Sequence, residues 1–308
     1  MRRPIIAVTG AGGLVGARLV SDLRTADHSV VALRRGTEPR WDGRDGWADI
    51  TRGDHLAALV EQGFRADVIV HLAGLVEIAL QPDPKHPETA CQPAQTNTAA
   101  LYAANVLGTA HIVDLARTCG ARKIVFASSQ TVYGYGENGQ ADESTALRPI
   151  EHYATSKVCA EQLLETASRS GLSVVILRFP GIFSAKRTAG AVQAMCRSAV
   201  EQRVIVVNSV CAIPFDVLAL EDVITGIIEA IAYDGEPREI FNLATGGACS
   251  LEILADRISA LVQGTRVERR GVAQPVFRMN AAKAERLLGW RAVSLDKRLA
   301  ELLSTCGK

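Results

Sequence analysis

The chain has 308 residues, 48% of them hydrophobic and 22% charged, the make-up of a globular protein with room for one large or two modest domains. Its 34 Lys and Arg against 33 Asp and Glu leave a formal net charge of +1. That balance marks neither a nucleic acid nor an acidic membrane as a partner. Met1-Arg2-Arg3-Pro4 has the basic character of a signal-peptide start, but the apolar run behind it is short and ends in glycines, so it reads as a first strand. No stretch of about 18 uninterrupted apolar residues occurs, which argues against a spanning helix. The seven cysteines (Cys91, Cys119, Cys159, Cys196, Cys211, Cys249 and Cys306) are scattered and form no C-x-x-C. They read as thiols of a reducing, cytoplasmic compartment, and the six dispersed histidines imply no metal site.

In chain order, the first element is Ile5-Ile6-Ala7-Val8-Thr9, an apolar strand running into Gly10-Ala11-Gly12-Gly13-Leu14-Val15-Gly16 and then into helical spacing to about Leu23. A buried strand that turns into a helix across glycines presents free N–H groups and the positive end of a helix dipole, a geometry suited to a dinucleotide pyrophosphate. Glycines serve tight strand–helix turns for steric reasons too. Ser29–Leu33 predicts a second strand ending at Arg34-Arg35-Gly36. An acid usually occupies such a strand end to bind the adenosine ribose; arginine suits a 2′-phosphate, or simply a solvated loop. A third short strand is expected around Asp49–Asp54, with Asp54 facing the adenine. A fourth runs from Ala66 to Gly74, and Leu72-Ala73-Gly74 would let a cofactor lie close. His71, inside that apolar run, reads as a core histidine.

From Leu75 to Thr98 the periodicity dissolves among four prolines, which reads as a mobile cover over the site. A long helix over 98–119 carries Asn105. A fifth strand at Lys123–Ser129, a helix from about His152 to Leu164 and a sixth strand at Ser173–Arg178 follow. This alternation predicts an α/β fold, a doubly wound parallel sheet over residues 1–178. Beyond it, helices near 191–201, 221–232, 251–262 and 281–288 and apolar runs at 204–207 and 240–243 form a smaller C-terminal lobe over 179–308. Parts near 211–244 are expected to return to the first domain.

Tyr153 and Lys157 are four residues apart, which puts them on one helix face. A free phenol, with a pKa of about 10, is a poor base at neutral pH. A neighbouring ammonium and an oxidised nicotinamide stabilise its phenolate and bring it into acid–base range. Ser129 ends a strand where open α/β sheets bind ligands, and its hydroxyl can hold the substrate oxygen that the tyrosine serves.

Thr9-Gly10-x-x-Gly13-x-x-Gly16, His71-Leu72-Ala73-Gly74, Asn105-Val106-x-Gly108-Thr109, Ser128-Ser129-x-x-Val132-Tyr133-Gly134, Tyr153-x-x-x-Lys157 and Leu177-Arg178 occur in the order and spacing of the extended short-chain dehydrogenases/reductases. Glu221-Asp222-Val223, Phe241-Asn242-Leu243 and Leu288-Gly289-Trp290 resemble the same family's C-terminal landmarks. This is the NAD-dependent epimerase/dehydratase family, and the resemblance covers almost the whole chain. It implies a Rossmann domain, a nicotinamide cofactor and Tyr153 as acid/base. Lys157 would bind the nicotinamide ribose, Ser129 would be an oxygen ligand, and Asn105, Phe179 and Pro180 would lie beside the cofactor. It also implies a homodimer joined through the helices around 98–119 and 152–168.

Departures from the family pattern narrow the reaction. Dehydratases of nucleotide hexoses carry an Asp-Glu pair where this chain has Gln130 and Thr131, so 4,6-dehydration is not expected. The arginine that grips a nucleotide-sugar diphosphate is replaced by Phe215, and the usual asparagine after Leu177-Arg178 by Gly181. Gln130, Gly181 and Phe215 are thus the candidate substrate contacts beside Ser129. The expected activity is hydride transfer at a secondary alcohol or ketone of a sugar, sugar derivative or similar small molecule. Arg34 and Arg35 favour NADP, with NAD as the alternative. A nucleotide-sugar epimerase that retains NAD, or a non-catalytic dinucleotide-binding sensor or scaffold, are the competing readings.

Overall fold

A computed structural model of the protein describes residues 3–76, 80–83, 86–93, 97–187, 190–209 and 215–306. Its centre is an eight-stranded sheet of order β14-β10-β8-β5-β1-β2-β4-β3. The strands are β1 (Ile5–Thr9), β2 (Ser29–Arg34), β3 (Arg40–Trp41), β4 (Asp45–Trp47), β5 (Val68–His71), β8 (Lys123–Ser129), β10 (Ser173–Phe179) and β14 (Arg238–Asn242). Every pairing is parallel except β3 with β4. The inner strands are buried on both faces, which explains why they read as continuous apolar runs.

One face is covered by α1 (Leu14–Thr25) and α7 (Leu220–Ala232), whose Leu19, Leu23, Val223 and Ile227 join Ile6, Val8 and Val70 in one core. The other face is covered by α2 (Gly53–Glu61), α4 (Gly108–Cys119) and α5 (His152–Ser168). A short α3 (Thr98–Tyr102) and one π turn (Ala103–Leu107) precede α4 without a break. The run Thr98–Cys119 is long and apolar enough, by length and composition, to cross a bilayer, but half of it is buried inside this chain, against α2 and α5 as a core helix would be.

A separate core is built from α6 (Ala191–Gln202), α8 (Leu251–Leu261) and α10 (Leu295–Leu303) around β12 (Val204–Ser209) and β13 (Val217–Ala219), with β16 (Arg266–Gly271) on the edge of β12. The strand β13 pairs with β11 (Gly181–Phe183), which follows directly from the end of β10. Between them and α10 come β15 (Ala248–Cys249), β17 (Phe277–Met279) and α9 (Ala282–Leu288), and β17 reaches back to pair with β9 (Gln140–Ala141).

Three sequence expectations are corrected. The strand beside β2 is Asp45–Trp47, not 49–54. The Asp49 side chain accepts the Thr51 N–H at 2.9 Å and its hydroxyl at 2.7 Å, a turn that ends the extended chain before α2 begins at Gly53. The fourth strand stops at His71, so Leu72-Ala73-Gly74 is loop. Within 75–98 the backbone forms a hairpin, β6 (Leu80–Asp83) with β7 (His86–Pro93); whether it covers the site lies outside the described residues.

Candidate active site

The sheet order reverses between β1 and β5, and the crevice above that point is where open α/β sheets bind ligands. The β1–α1 turn is built so tightly that a side chain is excluded at Gly10 and Gly16. Gly10 has φ +66°, and a Cβ on it would lie 2.8 Å from the Ala73 nitrogen at the end of β5. A Cβ on Gly16 would lie 2.3 Å from the Gly10 carbonyl oxygen. Gly12, by contrast, has nothing within 4 Å of its ideal Cβ. Gly13 enters α1 with no capping side chain, so the first N–H groups of the helix face the crevice unopposed. Leu14 and Val15 are half-buried against the core below and anchor the turn.

Behind the turn, the Thr9 hydroxyl accepts the N–H groups of Leu72 (3.2 Å) and Ala73 (3.1 Å) and meets His71 Nδ1 at 2.8 Å. His71 Nε2 meets the Thr109 hydroxyl at 3.2 Å, and that hydroxyl donates to the Asn105 carbonyl at 2.6 Å. His71 is therefore a satisfied core histidine. Burial, helped by the Lys157 charge, drives its pKa down to about 3.

A cleft of about 410 Å³ runs from Gly10 and Gly13 to Arg34, Arg35, Asp49 and Ile50. The two arginines differ. Arg34 Nη1 donates to Asp45 Oδ2 at 2.8 Å, and Arg24 pairs with the other oxygen of the same carboxylate. Burial opposes the Asp45 charge, but those hydrogen bonds outweigh it and hold the carboxyl below its ordinary range. Arg35 is 84% exposed and only 3.9 Å from Asp49. Asp54 lies on the first turn of α2, exposed and paired with Arg52, and does not line the cleft. Asp49 and Ile50 stand in its place, and their position within a turn rather than a strand hid them from the sequence reading.

At the other end of the crevice, α5 brings Tyr153 and Lys157 into the interior, 6% and 7% exposed. The Lys157 ammonium donates to the Ala127 carbonyl at 2.8 Å and lies 5.8 Å from the centre of the Tyr153 ring. Burial lowers it to about 8, against the opposing charge of Glu161. Burial raises the Tyr153 phenol, hydrogen bonding from Ser129 lowers it, and the Glu151 charge raises it again. Ser129 also closes the turn after β8, its Oγ accepting the Thr131 N–H at 3.2 Å. A Cβ on Gly74 would lie 2.7 Å from Asn105 Oδ1 and 3.7 Å from the Lys157 ammonium, so the end of β5 and α5 meet there.

Asn105, expected beside the cofactor, lies at the same Gly74 corner, and its side chain is hydrogen-bonded within the protein. Its amide accepts the Leu75 N–H at 2.8 Å and donates to the Leu75 carbonyl and to Ser156 Oγ, both at 2.9 Å. With its side chain occupied, it is a strut between the end of β5 and the residue before Lys157. Phe179 and Pro180 are buried at the end of β10.

The sequence reading missed a polar network beneath the site. Arg178 donates to Glu161 through Nε (3.0 Å) and Nη2 (2.5 Å) and to the Tyr133 hydroxyl (2.9 Å), which donates to Asn242 Oδ1 at 2.7 Å. The Ser128 hydroxyl donates to Glu161 at 2.5 Å. The signal was present: an arginine inside an apolar strand requires a buried acid, and Glu161 lies one turn beyond Lys157.

A model of the NAD dependent epimerase/dehydratase family matches residues 6–244. The chain belongs to this family. It is similar to the UDP-glucose 4-epimerase of Azospirillum brasilense, 27% identical over 181 residues, which are 57% of this chain and 48% of that protein. It is also similar to the 4-hydroxy-2-methyl-3-oxo-4-farnesyl-3,4-dihydroquinoline-1-oxide ketoreductase of Stigmatella aurantiaca, 32% identical over 187 residues, 59% of this chain and 51% of that protein. The chain thus spans about half the length of these relatives. A mouse dTDP-D-glucose 4,6-dehydratase is 24% identical over 283 residues, 85% of this chain and 74% of that protein. Among solved structures, the Bordetella bronchiseptica enzyme WbmG in complex with NAD shares the fold, with a TM-score of 0.78 at 18% identity over 99% of this chain and 94% of that one. With epimerases, reductases and dehydratases among the family's members, membership alone does not exclude dehydration; only Gln130 and Thr131 bear on that expectation.

In this epimerase/dehydratase chain the candidate substrate residues fall beyond β8 and β10. Gln130 is buried just after Ser129. The Gly181 N–H donates to the Asp216 carbonyl at 3.2 Å, and Phe215, the residue before Asp216, is half-buried against the lobe core. Four lobe arginines have partners within the protein. Arg269 pairs with Asp256, Arg270 with Glu268, Arg203 donates to the Gln263 carbonyl and Arg187 to the Ile182 carbonyl.

Proposed function

We propose that the protein is an NADP-dependent reductase that transfers hydride between the cofactor and a secondary alcohol or ketone of a sugar, sugar derivative or similar small molecule. The observation that carries this reading is the convergence on one crevice of the glycine-rich β1–α1 turn, the Gly74 corner and the buried Tyr153–Lys157 pair. The open space at Gly12 and the uncapped start of α1 suit the pyrophosphate; Asp49 and Ile50 suit the adenosine; Lys157 suits the nicotinamide ribose. When bound, the nicotinamide supplies or accepts the hydride. Tyr153, which burial keeps protonated, gives its proton to the oxygen of a ketone under reduction, while Ser129 orients that oxygen and Lys157 stabilises the phenolate left behind.

NADP is favoured by the cations lining the adenosine end of the cleft, with Arg35 now the stronger candidate for the 2′-phosphate. Arg34 is already half-neutralised by Asp45, the one observation that favours the second reading, an epimerase that retains NAD. Phe215 in place of the diphosphate-gripping arginine supports a substrate other than a nucleotide sugar. Gln130 and Thr131 carry no carboxylate for an elimination step, which speaks against 4,6-dehydration. The burial of tyrosine and lysine together argues against a mere sensor. Two subunits would pair through α3–α4 and α5, where Leu107 is 46% exposed. Calorimetric titration with NADPH and NADH tests the reading: tighter NADPH binding supports it, and tighter NADH binding returns the choice to the epimerase.

A further inference from the structure

Ser128, Arg178 and Asn242 lie directly beside one another across β8, β10 and β14. Side chains alternate between the two faces of a sheet, and two residues earlier Phe126 and Ile176 belong to the core beneath α5. The same alternation aims the polar row at α5, where Glu161 meets it. On α5, Tyr153, Lys157 and Glu161 follow at intervals of four and form one stripe. That stripe is pinned to β8 at two successive residues. Lys157 Nζ donates to the Ala127 carbonyl at 2.8 Å, and the Ser128 hydroxyl donates to Glu161 Oε1 at 2.5 Å. From the neighbouring strand Arg178 fixes the same carboxylate, through Nε at 3.0 Å and Nη2 at 2.5 Å. Ser128, Glu161 and Arg178 are all buried.

A buried ion pair adds little net stability over apolar packing of the same volume, because desolvation of the charges offsets their attraction. What it adds here is direction. Besides the stripe, the buried residues of α5 are Ala154, Ser156, Ala160, Leu164 and Ala167. A face made mainly of alanines offers few large side chains to stop the helix sliding along the sheet. Hydrogen bonds, limited in length and angle, do stop it.

We propose that Ser128 and Glu161 are positioning residues, which hold α5 in register on β8 and so set Lys157 and Tyr153 at the nicotinamide end of the crevice. The proposal rests on the dinucleotide site and the role of Lys157 given above. Neither residue is catalytic: both act through Lys157 and Tyr153. Glu161 holds the turn that follows Lys157, and Arg178 holds Glu161 in the orientation that Ser128 meets.

Ser128→Ala tests this in the full chain. It removes the hydroxyl but leaves the Glu161 carboxylate its two bonds to Arg178, so no charge is stranded. Calorimetric titration, at a temperature where parent and variant are both folded, compares NADPH with adenosine 2′,5′-bisphosphate, which carries the adenosine end alone. The variant is expected to bind NADPH about tenfold more weakly, the worth of about one hydrogen bond, and the bisphosphate as the parent does. A purely structural role would lower the melting temperature and leave both affinities unchanged. Parent-like binding of NADPH by the variant, or an equal loss for both ligands, overturns the proposal. Failure of the dinucleotide reading is distinguished from this, because there the parent itself binds no NADPH, and the assignment falls with it.

Discussion

Asp216 is 1% exposed at the start of β13, where its carbonyl holds Gly181. Its Oδ1 accepts the Val217 N–H at 2.7 Å, but Oδ2 has no hydrogen-bond partner among the described residues, and the Cys249 thiol beside it is a weak donor. Burial raises the carboxyl from 3.8 to about 7. The folded protein thus keeps a proton that the unfolded chain releases, so the stabilising contribution is complete below the unfolded value and is lost as pH rises through the folded one. A shift of about three pH units at 1.36 kcal/mol each puts that loss at about 4 kcal/mol. Asp216→Asn removes the ionisation while keeping the Oδ1 acceptor, and leaves a buried amide N–H2 that costs about 1–3 kcal/mol. Urea unfolding across pH 4 to 8 is the assay. The variant should be the less stable at the acid end and should gain on the parent with rising pH, overtaking it by about 1–3 kcal/mol at the alkaline end. A stability difference between the two that stays constant with pH would refute the reasoning.

The remaining predictions concern the crevice. His71, held at about 3 in the fold against 6.5 when free, contributes stability that is present above pH 6.5 and lost as pH falls toward 3; its imidazole NMR signals should show no titration at neutral or mildly acid pH, and an ordinary midpoint would contradict its burial. Gly12→Ala, with open space around the new methyl, should leave the melting temperature unchanged but weaken dinucleotide binding about tenfold or more; unchanged affinity would make the turn purely structural. Arg35→Ala should erode the preference for NADPH over NADH, whereas Arg34→Ala should chiefly lower stability by leaving Asp45 with one partner, both read by calorimetry and thermal unfolding. Arg178→Met strands the Glu161 carboxylate in the interior and should cost about 3–5 kcal/mol in unfolding experiments.

The elements most legible in the sequence were those whose burial is uniform. β1, β5, β8 and β10 sit inside the sheet, covered on both faces, and their apolar runs said so directly. Tyr153 and Lys157 were legible because helical spacing alone puts them together. Residues 40–54 were not, because the β3–β4 pair is short and half-exposed and the Asp49 turn is a side-chain effect with no periodicity. The partnership of Arg34 with Asp45 depends on the register of β2 against β4, which pattern cannot supply. Leu295, Leu299 and Leu302 mark the buried face of α10 at helical spacing, a signal that was present and overlooked. The bonds of Asn105 to Leu75 and Ser156 depend on the meeting of β5 with α5, which pattern cannot supply either.

The central claim is that the crevice above β1 and β5 holds a nicotinamide dinucleotide against Tyr153. Calorimetric titration of NADPH into the parent protein and into Gly12→Ala tests it most directly. The account predicts saturable one-to-one binding by the parent, tighter than for NADH, and a clear loss in the variant. Absence of dinucleotide binding by the folded parent, or equal affinity in the two proteins, would contradict it.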